Sequence, residues 1–257
     1  MLGCIIQARM GSTRLPGKVM CTLEEDRPSI SSTIYQLKQC IELDKIIVAT
    51  TTNDEDDVIS DYIKNIGIDL FRGSSKDVLG RYYECAKKYS LEGILRVTAD
   101  CPLIDPTIVD TGLKIFKNNN FDYVTNTLKR TFPDGNETEI FSFHSLEKAN
   151  YDAKLPSERE HVTPYLKTHP ELFKIKNFEN FQDLSYLRWT MDYEEDLKFI
   201  KLVLQKISKR PILMMDILDL LKKEPELKKI NSNHHPDEGY QKSLIEDKQF
   251  LNMKNKF

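Results

Sequence analysis

Short, β-rich apolar runs alternate along this chain with segments whose apolar residues recur every three or four positions. The alternation predicts βαβ units around a mostly parallel sheet, because each crossover helix buries one stripe on a sheet face. Residues 2–6 read as the first strand and residues 45–50 as the second. Between them Ile30, Ile34, Leu37 and Ile41 fall at helical spacing. Asn53-Asp54 is placed to cap a helix carrying Val58, Ile59, Tyr62 and Ile63, with acids in the first turn where the helix dipole favours them. Further strands are expected at 68–71, 93–98 and 121–126, separated by helices at 77–89 and 106–117. Pro106 suits a helix start, where an amide hydrogen would have no partner.

From Leu128 to about Phe181 the rhythm loosens. Phe132-Pro133-Asp134-Gly135 reads as a turn, residues 138–143 as a strand, and two helical segments are expected within 145–168. An irregular insertion of this kind suits substrate contacts or a dimer arm. Regular order returns with an expected strand at 186–191 and helices at about 194–207 and 213–222. After Pro225 the composition turns to Lys, Asn, Asp and Glu, so residues 225–257 are expected to be a polar tail, mobile or a surface helix, adding nothing to a core. The pattern gives an α/β fold with a mostly parallel sheet in one domain over 1–224, with 128–181 as its arm and no internal repeat.

Composition narrows the function classes. The 257 residues are 40% hydrophobic and 30% charged, ordinary for a soluble globular protein, and no stretch approaches the roughly 20 apolar residues of a membrane span. Lys and Arg number 37 against 40 Asp and Glu, so the net charge of −3 offers no general attraction for nucleic acid. The first six residues lack a secretory signal, and the five cysteines, Cys4, Cys21, Cys40, Cys85 and Cys101, show no C-x-x-C spacing. A reducing cytoplasm is expected, with neither a disulfide framework nor a zinc site.

Three stretches carry the chemistry. Directly after the first strand comes Ile6-Gln7-Ala8-Arg9-Met10-Gly11-Ser12-Thr13-Arg14-Leu15-Pro16-Gly17-Lys18. In an open α/β sheet ligands bind at the carboxyl ends of the strands. Glycines there admit backbone amides to phosphate oxygens while Arg9, Arg14 and Lys18 supply charge-assisted donors, which suits a triphosphate. The loop is no Walker A motif: five residues rather than four separate Gly11 from Gly17, and Val19 stands where a magnesium-binding Ser or Thr belongs. The second stretch, Arg96-Val97-Thr98-Ala99-Asp100-Cys101-Pro102-Leu103-Ile104-Asp105, puts Asp100 at a strand end, where a carboxylate holds Mg²⁺ against phosphate or simply forms a turn. The third, Trp189-Thr190-Met191-Asp192-Tyr193-Glu194-Glu195-Asp196-Leu197, leaves Asp192 two roles, second metal ligand or helix N-cap.

In this order the stretches resemble the cytidylyltransferases that make CMP-activated acidic sugars, the acylneuraminate and 3-deoxy-octulosonate synthetases. The strongest resemblance is to the branch labelled spore coat polysaccharide biosynthesis protein F. It extends over about residues 1–205 and includes Gly73-Ser74-Ser75-Lys76-Asp77-Val78-Leu79-Gly80-Arg81-Tyr82, Pro133-Asp134-Gly135, Arg159-Glu160-His161-Val162-Thr163-Pro164 and Thr190-Met191-Asp192.

The resemblance implies a three-layer α/β sandwich of nucleotide-diphospho-sugar transferase-like, Rossmann-like fold, usually a homodimer through the irregular arm, acting on CTP and a sugar-type acceptor in surface polysaccharide or glycan biosynthesis. It implies nucleotide contacts from Ala8, Arg9, Gly11, Ser12, Arg14, Lys18, Gly73, Ser74, Asp77 and Thr98, with Arg9, Lys18 and Asp100 catalytic. Asp100 and Asp192 would hold Mg²⁺, and Arg81, Glu139, Arg159 and His161 would meet the acceptor. His161 also fits proton transfer, since histidine titrates near neutrality.

The chain departs from the pattern at Ala99, where a Gly is usual, at Thr98, where the octulosonate enzymes carry Gln, and at Asn136 and Thr138. Acceptor identity therefore does not carry over. Other readings are transfer to a sugar phosphate or phosphonate, a glycosyltransferase of the same fold, and a non-catalytic nucleotide-binding protein. The first would more typically open Ala-Gly-Gly, and the second would show Asp-x-Asp where Asp100-Cys101-Pro102 stands. The retained charges oppose the third.

Overall fold

The computed structural model describes residues 1–234 and 238–254. Strand β1, Leu2–Gln7, is followed by a small hairpin, β2 (Thr22–Glu24) and β3 (Arg27–Pro28), and by helix α1, Ser29–Leu37. Then β4 (Lys45–Thr51), α2 (Asp57–Asn65), β5 (Asp69–Gly73), α3 (Val78–Lys88), β6 (Gly93–Thr98) and α4 (Pro106–Asn118) realise the βαβ rhythm. The irregular segment contains β7 (Tyr123–Thr125), β8 (Glu139–Ser142), α5 (Phe143–Asp152), α6 (Pro156–His161), α7 (Pro164–Thr168) and β9 (Ile175–Asn177). The chain continues through α8 (Glu194–Lys206), α9 (Met214–Lys223) and α10 (Glu238–Lys254).

Seven strands form one sheet in the order β5-β4-β1-β6-β8-β7-β9. Neighbours are parallel except β8, which runs antiparallel to both β6 and β7. Helices cover both faces, as a parallel sheet requires. The side-chain period of two is visible in β1: Cys4 and Ile6 enter the core cluster that α1, α2 and α4 close, whereas Ile5 enters the opposite one with α3 and α5. A third core gathers α8 and α9 around the buried Trp189. Among the described residues no helix is long and apolar enough to cross a membrane.

Four expectations need correction. Residues 186–191 form no strand: Tyr186 lies in a turn, Thr190 in a bend, and the segment makes a single bridge, Asp134 to Arg188. Its amides and carbonyls are claimed by two loops instead: Trp189 N donates to Asp134 O and Met191 N to Asp100 O. Helix α1 ends at Leu37, and Ile41 lies beyond it, exposed. Three helices rather than two occupy the 143–168 region, and the short edge strand β9 had no period-two signature long enough to announce it.

The residues after Pro225 do enter the interior. Leu227 is buried in the third core, and the Asn231 side chain donates to Arg188 O at 2.9 Å and to Asp196 Oδ1 at 2.8 Å. Composition concealed this because the tail contributes mainly by satisfying buried polar groups, not by adding apolar area.

Candidate active site

β1 and β6 are neighbours, with Gln7 opposite Thr98, while β4 and β5 extend away on the far side of β1. Both chains leave the sheet at the same end, at the switch point where open α/β sheets form a ligand crevice. The loop after β1 is shaped by its backbone. Met10 N donates to Asp56 Oδ1 at 2.7 Å, and Ser12 N and Gly17 N both donate to Met10 O. Asp56 is fully buried and also accepts from the Thr51 hydroxyl, so it anchors the loop from below. Gly17 adopts a left-handed φ of 67°, which a side chain would oppose, and there the chain turns Lys18 inward.

Lys18 is 9% exposed and bridges two carboxylates. Its Nζ donates to Asp100 Oδ2 and, at 2.8 Å, to Asp192 Oδ1. Arg14 donates to the same Asp192 oxygen at 2.6 Å, and Arg188 joins Asp192 Oδ2 at 3.1 Å to Asp134 Oδ2 at 2.7 Å. Burial alone would raise the Asp100 carboxyl, but the Lys18 charge outweighs it and brings the pKa to about 2. Burial opposes the Lys18 charge, yet Asp100 and Asp192 raise its pKa and keep it an ammonium. Burial and the neighbouring Glu137 push Asp134 up to about 8 despite Arg188.

Of the two roles open to Asp192, the cap is taken by Asp196. Asp196 accepts from the backbone amides of Asp192 (2.9 Å) and Tyr193 (3.1 Å), so it closes the start of α8. The Asp192 carboxylate caps nothing and faces the cations. Asp100 Oδ2 and Asp192 Oδ1 thus converge on one positive centre, a donor pair that suits Mg²⁺ held by two carboxylates together with phosphate oxygens. No group of three or more His, Cys, Asp and Glu side chains among the described residues is arranged to hold a metal.

A cavity of about 380 Å³ opens beside this network, bounded by Thr98, Arg130, Glu139, His161, Lys167 and Tyr240 among others. Glu139 is its buried pivot: Arg96 reaches it at 2.6 Å, Lys167 at 2.9 Å, the Tyr123 hydroxyl at 2.5 Å and the Thr163 hydroxyl at 2.8 Å. Burial would raise its pKa, but Lys167 and Arg96 hold it well below the usual carboxylate range. Burial and the nearby Arg96 lower His161 to about 4, so its ring is neutral at pH 7.

Not all candidate residues meet at the cavity. Arg14, Thr98, Asp100, Glu139, His161 and Asp192 line it, with Lys18 bonded to its edge. Arg81, Ser74, Asp77 and Arg159 instead form a second, self-bonded group after β5. Arg81 donates to Ser74 O at 2.7 Å, Asp77 caps α3 through Gly80 N, and Arg159 Nε donates to Asp77 at 2.9 Å. Gly73 ends β5, its Cα hydrogens against Phe71 and Arg81. Ala8 is buried at the end of β1, Gly11 is exposed, Ser12 half-buried, and exposed Arg9 reaches Glu160 at 3.4 Å.

Sequence reading missed Asp134, Arg188, Arg130 and Lys167. Arg188 had a signal, a charge inside the otherwise apolar run 186–191, and Asp134 lay in the Pro133-Asp134-Gly135 stretch, which reads as a turn.

Comparison with known proteins agrees with this geometry. The family model described as cytidylyltransferase matches residues 3–238. An uncharacterized protein of Methanocaldococcus jannaschii is 40% identical over 231 residues, 89% of this chain and 93% of that one. The spore coat polysaccharide biosynthesis protein SpsF of Bacillus subtilis is 31% identical, covering 86% of this chain and 94% of that protein. The solved structure of a cytidylyltransferase from Leptospira borgpetersenii serovar Hardjo-bovis superposes with a TM-score of 0.86 at 36% identity, over 91% of this chain and 99% of that one. A phosphate-type loop and an acidic pair at a sheet switch point, on a chain matched over most of its length, lead to one conclusion: the protein belongs to the cytidylyltransferase family and is a nucleotidyltransferase.

Proposed function

We propose that the enzyme transfers CMP from CTP to an acidic sugar-type acceptor, a 3-deoxy-ulosonic acid or a relative, releasing pyrophosphate in surface polysaccharide or glycan synthesis. The observation that carries this reading is the Lys18-bridged pair Asp100 and Asp192, set with Arg14 between the glycine-rich loop and the cavity. Asp100 and Asp192 would hold Mg²⁺, which when bound neutralises charge on the phosphate oxygens.

The chain's own residues do the rest. Arg14 and Lys18 exchange their carboxylate partners for phosphate oxygens and stabilise the negative charge of the transferring group. An acceptor oxygen attacks the α-phosphorus, the bond to the bridging oxygen breaks, and pyrophosphate leaves with that electron pair. Neutral His161, on the cavity wall, orients the acceptor.

One wall of the cavity supports an anionic acceptor. Arg96 and Lys167 share the single carboxylate of Glu139, which leaves an excess positive charge, and Arg96 Nε is buried with no partner among the described residues. Similarity to the SpsF protein supports the polysaccharide setting. Exposed Phe181, Leu128 and Tyr186 around the irregular segment support a homodimer through that arm.

The test is pyrophosphate release with Mg²⁺ and each of the four nucleoside triphosphates, against 3-deoxy-ulosonic acids, sugar phosphates and phosphonates. Acceptor-dependent release is expected with CTP and a ulosonic acid. Release only with another nucleotide, or only with a phosphorylated acceptor, would replace this reading.

A further inference from the structure

The family model matches only as far as residue 238, where α10 begins, yet α10 contributes to the cavity. Glu238, Gly239 and Tyr240 line it alongside His161 and Asp192. The helix lies along α6, the element that carries His161. Asp247, 6% exposed, accepts from the backbone amide of Ser157 at 2.9 Å and so caps the start of α6 from outside the cavity.

Two further contacts from α10 hold the imidazole. Ser243 Oγ lies 3.0 Å from His161 Nε2, and the Tyr240 ring meets the imidazole edge-on at 5.3 Å between centroids. Ser243 Oγ also donates to Gly239 O at 3.4 Å, so the tautomer that satisfies both contacts is the one in which Nε2 donates to Oγ.

We propose that α10 is a wall of the acceptor cavity lying outside the matched family core, and that Ser243 and Tyr240 are acceptor-positioning residues acting through His161. The proposal rests on the reading of this cavity as the acceptor site. Ser243, Tyr240 and Asp247 act on α6 and its imidazole, whereas α10 meets the glycine-rich loop through Glu238, which accepts from Arg14 at 3.5 Å; loss of Ser243 or of the Tyr240 ring is therefore expected to change acceptor recognition more than nucleotide recognition. The acceptor class selected is a hydroxylated sugar acid, which presents hydroxyls to the His161 imidazole on one wall and its carboxylate to Arg96 and Lys167 on another.

Full-length Ser243→Ala, Tyr240→Ala and Tyr240→Phe proteins are compared with wild type for acceptor KM, CTP KM and CTP affinity by calorimetry. Loss of one oriented hydrogen bond or ring contact is expected to raise the acceptor KM about tenfold, with CTP KM and affinity within about twofold of wild type. Tyr240→Phe, which keeps the ring, is expected to restore the acceptor KM. Asp247→Ala, which uncaps the start of α6 from outside the cavity, is expected to raise the acceptor KM as well and serves if Tyr240→Ala fails to fold. An unchanged acceptor KM in Ser243→Ala and Asp247→Ala, or a parallel loss of CTP affinity, overturns the role of α10 while the proposed function stands. A wild-type enzyme that turns over no sugar acid overturns both.

Discussion

At the scale of single residues, the site is an alternating chain of charges, and each member's state is set by its neighbours. Asp100 stays ionised at any pH near neutrality because Lys18 is bonded to it, so its negative charge is ready for a cation. Asp100→Asn keeps the shape and removes the charge. Pyrophosphate release should fall by at least about 100-fold, the range seen when an electrostatic group is removed from a transferring centre, with an unaltered far-ultraviolet spectrum. Arg14 lies at the other end of the chain, one-third exposed and bonded to Asp192. Arg14→Ala removes a charge-assisted donor to the triphosphate, so CTP dissociation constants measured by calorimetry should rise by about 10- to 100-fold. Unchanged affinity would take Arg14 out of the phosphate cradle.

At the scale of elements, the start of α8 fixes the acidic side of the site. Asp196 is fully buried and does three things at once: it accepts two backbone amides, pairs with Arg188 Nε at 2.9 Å, and receives the Asn231 amide. Arg188 in turn holds Asp192 and Asp134. Asp196→Ala leaves a buried guanidinium short of its main partner and the helix uncapped. The expected cost is about 3–5 kcal/mol of stability in urea unfolding, well above the loss of a surface pair. Asp216, which accepts from Leu213 N at the start of α9 but is only partly buried, gives the matched control with a smaller loss.

At the scale of the whole molecule, closure of the cavity couples folding to protons. His161 sits between α6, α10 and the Arg96–Glu139 pair and titrates near 4 in the folded protein, against about 6.5 when unfolded. Between those values the unfolded chain binds the proton and the folded one does not. The contribution of His161 is therefore complete above pH 6.5 and is lost as pH falls towards 4, by up to about 3 kcal/mol in total. In urea titrations at successive pH values, His161→Gln should flatten the dependence across this window. An identical slope in the variant would show that other groups govern it.

The sequence by itself determined the βαβ rhythm, because periodicity records which side of each element is buried, and that is a local property. It also singled out the loop after β1 and Asp100 as candidates for the site chemistry, because glycines and cations next to a strand's carboxyl end suit an anion. Tertiary structure alone decided the rest. Asp192 could have been a cap until Asp196 took that place; both choices look alike in a run of four acids and a tyrosine. Arg159 and Asp77, 82 residues apart, pair with each other instead of meeting at the cavity. The tail reads as solvent-loving, yet Asn231, Ser243 and Asp247 are buried because their partners are polar groups on distant elements. A sequence displays which residues can bond; the packing of elements far apart in the chain fixes which partners lie within 3 Å.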